Sequence, residues 1–538
     1  MPGGGLYSLV AYGGQNVLLS GNPDFTFFYK TYKKYTHYSE ESVTQAMDGP
    51  QELNYFSPVQ VRLKIQRVAD LVRDMYLTFN LPDIYCKYID EQQSGRDAQY
   101  NFKWTKYIGC NIIQNVAILI GGNKMQEFDG NYIIARAQAD LTNEQFTKWE
   151  RLVGNVPELY DPASGLDAGG SLREDYPLVF NDPLGGNINY PSIVGREITV
   201  PLPFWFTEST YNALPLIALQ YHDVEVQVTL RPIQELYQVL DPSGNTVRPG
   251  FRVVSSASPD TPGGCVVPGT STESLYNSYL NPAYSSVDIG EYMIQNFLTD
   301  WGQPVPQNAT WELNPRIQAT YVYLTGDERN TFASAPLQYL IRQVTTYPYE
   351  QITSRQYLQL YTHNPVNRLI INAQRSDSYT FRNDIANYTN WPNPQWRPYL
   401  APVTPEPYPG AYSYSATGRI LLGAQREILQ SLTVLADGNE LQEIKPIRYF
   451  EEVVPWKYLK GVPPENGIGP IIYPFSLNSP SIQPDGSINT SRVKLFQVDL
   501  NPYPLCPNSN YTYDVIIYVE NMNWVVITSG CGSLKYAL

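Results

Sequence analysis

The seven residues VEVQVTL, at positions 224–230, decide how the rest of the chain is read. Val224, Val226, Val228 and Leu230 alternate with Glu225, Gln227 and Thr229. Successive side chains on a strand point to opposite faces, so this segment predicts a strand with one face on a core. The same period of two recurs upstream. Val61, Leu63 and Ile65 alternate with Arg62, Lys64 and Gln66, and Met75, Leu77, Phe79 and Leu81 with Tyr76, Thr78 and Asn80. Residues 515–519 and 524–527 are apolar at successive positions and predict strands buried on both faces.

Turn formers punctuate these runs, with 37 Gly and 44 Pro in 538 residues. Gly121-Gly122-Asn123 predicts a tight hairpin, because these residues tolerate positive φ. Asp437-Gly438 and Asp485-Gly486 predict two more. Many short strands between such turns predict an all-β sandwich or barrel. One helix stands out over 142–153. Thr142 and Gln145 form a capping box, Phe146, Trp149, Leu152 and Val153 share a face, and Gly154 ends it. Its expected role is to cap a sandwich edge. A second short helix is expected within 331–344. Periodicity is lost over 155–195, 236–310 and 376–416, which predict long surface loops. The middle one is the expected boundary between two β domains. A faint echo supports two similar halves: Tyr221-His222-Asp223 and Tyr513-Asp514 each precede a valine-rich strand.

Composition narrows the function. Charged residues make up only 16% of the chain, against about 25% in ordinary soluble domains. Aromatics reach 13%, and Tyr alone accounts for 44 residues. Tyr suits interfaces, where its ring packs while its hydroxyl stays bonded. The net charge of −14 argues against phosphate-backbone binding, so no direct nucleic-acid contact is expected. Cys86, Cys110, Cys265, Cys506 and Cys531 are scattered and form no C-x-x-C pair, which predicts reduced thiols. No secretory leader, no membrane-spanning helix and no myristoylation motif is read. His37, His222 and His363 form no local metal or catalytic motif, and no phosphate-loop or nucleophile-elbow pattern occurs. Glu40-Glu41 and Glu451-Glu452, read as strand neighbours, point to opposite faces and cannot flank one bond. The aromatic run at 201–206 is expected in the core and in subunit packing. Sequons stand at Asn308, Asn387, Asn489 and Asn510; they read as polar loop residues or as glycosylation sites. No catalytic residue, cofactor site or metal site is assigned.

An ordered series of segments resembles the major capsid proteins of nucleocytoplasmic large DNA viruses. It starts with LVAYGGQNVLLSGNPDFTFFYKTYKKYTHYS at 9–39 and NVAILIGGNKMQEFDG at 115–130. VPLPFWFTESTYNALPLIALQYHDVEV at 200–226 is its most specific piece. YVYLTGDERNTFASAPLQYLI at 321–341, HNPVNRLIINAQ at 363–374 and RILLGAQRE at 419–427 follow. YPFSLNSPSIQPDGSINTSRVKLFQVDL at 473–500 and VIIYVENMNWVVITSGCGSLKY at 515–536 close it.

This resemblance implies an all-β chain of two tandem eight-stranded antiparallel jelly rolls, a double jelly roll with short capping helices and long loops. The expected parts are an arm over 1–24, a first jelly roll over 25–235, an interdomain linker or insertion over 236–310, and a second jelly roll over 311–538. It further implies homotrimers forming pseudo-hexagonal capsomers that tile an icosahedral shell, assembled in the host cytoplasm. Implied partners are the chain itself, neighbouring capsomers, minor capsid or cement proteins, penton proteins and proteins of an internal membrane. The implied role is not enzymatic. Two alternatives stay open at this point: a minor capsid paralogue of the same fold, and a tandem-sandwich carbohydrate-active enzyme or lectin.

Overall fold

The computed structural model describes residues 3–86, 88–91, 96–99, 101–162, 180–181, 189–240, 246–253, 284–286, 293–299, 304–390, 401–405, 412–415, 427–461, 468–481, 483–505 and 511–536. Eight strands form the first jelly roll: β1 (Tyr38–Ala46), β2 (Val59–Lys64), β3 (Leu71–Asn80), β4 (Ile113–Ile120), β5 (Asn123–Phe128), β6 (Glu197–Pro201), β7 (Val224–Leu230) and β8 (Arg316–Leu324). They make two antiparallel sheets, ordered β1-β8-β3-β6 and β2-β7-β4-β5.

The second roll holds β9 (Leu337–Ile352), β10 (Gln356–Leu360), β11 (Pro365–Arg375), β12 (Leu429–Ala436), β13 (Asn439–Glu440), β14 (Ile471–Pro474), β15 (Phe496–Pro502) and β16 (Tyr513–Thr528). Its sheets run β9-β16-β11-β14 and β10-β15-β12-β13. Adding eight to each label of the first roll reproduces the second, so one topology is used twice. A short β17 (Cys531–Leu534) folds back on β16.

Alternation in sequence becomes alternation in burial. β2 and β7 bury every second residue, so Val61, Leu63, Val226 and Val228 fill the space between the sheets. The glycine turns work as read. Gly121 and Gly122 at φ 58° and 83° close β4 onto β5, and Asp437 and Gly438 at 51° and 81° close β12 onto β13. Asp485-Gly486 closes no hairpin. β14 and the short strand Ile488–Asn489 both pair with β11, and the turn lies on the excursion between them, where Asp485 accepts the Asn478 N–H at 2.6 Å.

The expected helix over 142–153 is present as α3 (Asn143–Leu152), with the Thr142–Gln145 box in place, following α2 (Gly130–Asp140). Phe146, Trp149 and Val153 are buried, but Leu152 is 44% exposed and lies off the packed face. The helix expected within 331–344 sits earlier, as α4 (Gly326–Ser334), and Leu337 already begins β9.

The domain boundaries shift. Residues 316–324, assigned above to the second roll, form β8 between β1 and β3 of the first. The stretch 236–310 is therefore an excursion between the seventh and eighth strands of one roll. The crossover between rolls is α4, held by Arg329 to Asp70 at 3.0 Å. Residues 25–37, assigned above to the first roll, join neither sheet. The front of the third stretch, 376–390, is not a surface loop. Asp377, Arg382, Asn383 and Asn387 are buried, and Asn383 Nδ2 donates to the carbonyls of Gln234 and Tyr237 at 2.7 and 2.8 Å. Polar side chains serve there because they hydrogen-bond first-roll backbone carbonyls.

β16 joins the two apolar runs in one strand; it is buried on both faces over 515–519, as expected, but over 524–527 only Val525 and Ile527 are buried while Trp524 is exposed and Val526 half-buried. β9 pairs with it from Leu337↔Ile527 to Ile352↔Tyr513, which carries the ladder through the polar centre. Val515, Ile517 and Val519 enter the core of the second roll. Tyr518, Val525 and Ile527 enter the core of the first.

Candidate assembly interfaces

Among the described residues no cleft gathers catalytic groups, and the candidate functional features are the junction that fixes the two rolls and the surfaces left uncovered. At the junction, β11 supplies Arg368, α2 supplies Asp140 and Arg136, and β16 supplies Glu520. Arg368 is fully buried. Its Nη1 and Nη2 donate to the two Asp140 oxygens at 2.5 and 2.9 Å, and its Nε and Nη2 to the two Glu520 oxygens at 2.8 Å each. One guanidinium thus bridges helix α2 of the first roll to the central strand of the second, with fork geometry at both carboxylates.

Around it further charged groups are paired, although Arg342 Nη1 is buried without a hydrogen-bond partner. Tyr132 donates to Glu520 at 2.7 Å, and Arg136 Nη2 donates to Glu208 at 2.6 Å. Asp129 caps α2 through the Tyr132 N–H at 2.7 Å and accepts the Tyr518 hydroxyl at 2.8 Å. Burial alone would raise the Asp140 and Glu520 carboxyls, but Arg368 outweighs it and holds both below the usual carboxylate range. At Asp129 burial wins over its hydrogen bonds and pushes the carboxyl up. Gln126 and Gln343 add uncharged ties across the junction, to the Arg342 carbonyl at 2.7 Å and the Met125 carbonyl at 2.9 Å. None of these residues was singled out from sequence. The available signal was Arg368 directly before the apolar run LII and Glu520 directly after the apolar run VIIYV, where a charge must be paired.

The uncovered surface is concentrated at the start of the chain. Residues 3–37 hold only a short helix α1 (Gly4–Val10), the turns Gly14–Asn16 and Val17–Ser20 and extended backbone, and none of these residues is buried. Leu6, Leu9, Leu18, Leu19 and the rings from Phe25 to Tyr35 face outward. An exposed apolar surface of that extent marks an interaction site.

The residues named from sequence do not converge. His37 and His363 are exposed. His222 Nδ1 lies 3.2 Å from the Gly532 N–H, a structural contact between the rolls. Among the described residues no group of three or more His, Cys, Asp or Glu could hold a metal ion, and no helix is long and apolar enough to cross a membrane. Glu40 pairs with Arg73 at 2.8 Å while Glu41 accepts from Tyr323 at 2.8 Å. Glu451 and Glu452 lie in the helical turn Tyr449–Val453, not on a strand. Phe204, Trp205 and Phe206 are core residues.

Of the sequons, Asn308 and Asn489 are exposed. Asn387 is 2% exposed, and its Oδ1 accepts from Thr389 Oγ1 at 2.6 Å. Asn510 lies outside the described residues. Cys86 and Cys110 are buried and Cys531 is exposed, while Cys265 and Cys506 lie outside the described residues.

Two tandem rolls of one topology, locked together by buried charge, define the double jelly-roll class of proteins. The comparisons agree with that class. Residues 26–279 match the family described as major capsid protein N-terminus, and residues 328–533 match that described as large eukaryotic DNA virus major capsid protein. The chain belongs to this major capsid protein family. It is 25% identical to the major capsid protein of Paramecium bursaria Chlorella virus 1, and 23% identical to probable capsid protein 4 of Acanthamoeba polyphaga mimivirus, over 99% of each chain in both cases. A chain of the PBCV-1 virus capsid superposes with a TM-score of 0.60 at 19% identity, covering 95% of this chain and 100% of its own. The Faustovirus major capsid protein gives 0.57 at 14% identity over 97% and 96%. These likenesses carry the double jelly-roll fold. The gap between the two family matches, 280–327, contains β8 and the start of α4, where the first roll ends.

Proposed function

We propose that three copies of this viral capsid protein form a pseudo-hexagonal capsomer that tiles the icosahedral shell, with no chemistry of its own. The observation that carries the reading is the repeated strand order of two rolls held side by side by Arg368. Three such chains present six equivalent sandwiches, and a head-to-tail contact closes into a ring when its rotation is right. Low charge density supports broad subunit contact, since few ions need desolvating. Light scattering of the purified chain tests it. Three chains of 61.0 kDa give about 183 kDa, and imaging should show a six-lobed outline; a stable monomer in every condition that supports folding would sink it.

The arm over 1–24 is assigned to the inner face of the shell, against minor capsid proteins. Penton and internal-membrane proteins are the further partners, and assembly takes place in the host cytoplasm. The arm's exposed Leu6, Leu9, Leu18 and Leu19 support this reading. Deleting residues 2–20 should leave capsomers intact and impair shell closure, read by imaging of assembled particles. The net charge of −14 supports a reading in which the genome is not a direct partner. Asn308 and Asn489 are the described sequons that a glycan could reach without unfolding.

A further inference from the structure

The linker at 25–37, FTFFYKTYKKYTH, leaves six aromatic rings in water. Phe25, Phe27, Phe28, Tyr29, Tyr32 and Tyr35 are each at least 71% exposed, and their described ring contacts are only with one another and with close neighbours in sequence. Phe25, Phe27, Phe28 and Tyr29 are interleaved with Thr26 and Lys30, and the composition is rich in aromatic and β-branched residues, as in a strand awaiting a partner. The segment cannot fold back onto its own β1. It runs straight into Tyr38 without a Gly, Pro, Asn or Asp, and a tight reversal needs such a residue.

A seat for a strand exists beside β1. Among the described residues β1 pairs only with β8, while β2 pairs with β7 and, at Arg62, with Asp48, so β1 has a free flank and β2 a partly covered one. Between them runs a groove of about 750 Å³, lined in part by Val43, Gln45, Leu63, Ile65, Arg67 and Asp223. The backbone pair of Asp48 with Arg62 closes one end. Gln45 is 7% exposed; its Nε2 donates to Tyr321 at 2.8 Å, while its Oε1 is buried without a hydrogen-bond partner.

We propose that residues 25–37 of one copy lie as an added strand in the groove between β1 and β2 of a second copy, pairing with the free backbone flank of β1. The proposal rests on the trimeric reading above, in which three such exchanges close a ring. Thirteen extended residues reach roughly 43 Å, enough to leave one subunit and run along β1 of the next. Strand addition supplies what each side lacks: a cover for the rings, and pairing for an edge that would otherwise invite aggregation.

The test uses the full-length chain with Phe28→Cys in a background of Cys265→Ser, Cys506→Ser and Cys531→Ser, which leaves only the buried Cys86 and Cys110, labelled with a benzophenone maleimide and photolysed. We expect intermolecular adducts whose acceptor peptides map to 42–48 and 62–67. Ala46→Arg, at an exposed position lining the groove, should cut that adduct by at least about tenfold without moving the thermal melt. Light scattering on the same sample separates the two readings. A monomer without adducts sinks the trimer and the exchange together. A trimer whose adducts fall elsewhere, or inside one copy, sinks the exchange alone. Protection of 25–37 only on adding phosphatidylserine vesicles also overturns it, in favour of an anionic membrane surface.

Discussion

Arg368 is the residue on which the junction turns. Its cost is set by what it leaves behind: Arg368→Met would strand Glu520 and Asp140 as buried carboxylates with no counter-charge. Removing one partner of such a network costs about 3–5 kcal/mol, readable as a lower denaturation midpoint at pH 7. Arg368→Lys should recover little, because one ammonium cannot make the four bonds of the fork. The pH dependence follows from the directions of the shifts. Asp140 and Glu520 are held below their ordinary values, so their contribution is fully present above the unfolded values of about 4 and is lost as pH falls through the folded ones. Asp129 runs the other way. Its carboxyl is raised, so its charge is a cost at neutral pH that disappears in acid. Asp129→Asn, which keeps an oxygen for the Tyr132 N–H, should therefore match or exceed the parent at pH 7. That advantage should shrink toward pH 4 in parallel melts; a growing advantage would contradict the sign. None of this was legible in the sequence, because a lone charge beside an apolar run shows that a partner is needed but not which one.

Elements were legible where one local rule acted alone. β2, β3 and β7 follow their period of two, and α3 follows its capping box. The paired glycines at 121 and 122 show how fine this reading becomes once the fold is known. Both hold positive φ, so both resist a side chain. An added Cβ at Gly121 would lie 2.5 Å from His222 Nδ1, whereas one at Gly122 would meet nothing. Gly121→Ala should lower the thermal midpoint clearly more than Gly122→Ala, which carries only the backbone cost of about 1–2 kcal/mol. Equal losses would mean that the His222 ring moves aside freely. The start of β9 was misread because Leu337, Leu340, Ile341 and Val344 fall at helical spacing. Pairing along the whole of β16 overrides that local pattern, a competition that periodicity alone cannot arbitrate.

At the scale of the molecule, the double jelly roll was legible and its seam was not. A loss of periodicity over 236–310 looks like a domain boundary, yet the chain returns afterwards to insert β8 between β1 and β3. Nothing local in RIQATYVYL says which sheet it joins, since sheet partners are chosen over long separations. The true seam is a shared core. Tyr339, Ile341, Ile370, Ile472, Tyr518, Val525 and Ile527 belong to the second roll by strand pairing but pack with the first-roll cluster. Domains joined by small polar contacts unfold separately, whereas a common apolar core with a buried ionic bridge couples them. The chain should therefore show one calorimetric transition whose van't Hoff and calorimetric enthalpies agree. A fragment ending at residue 325 keeps all eight strands of the first roll but exposes the buried side chains that β9 and β16 cover. It should bind a hydrophobic dye and lack a cooperative melt, although the topology alone makes it a complete roll. A fragment that melts sharply and stays monodisperse would show that the second roll is an independent neighbour and that Arg368 orients two finished domains instead of completing one.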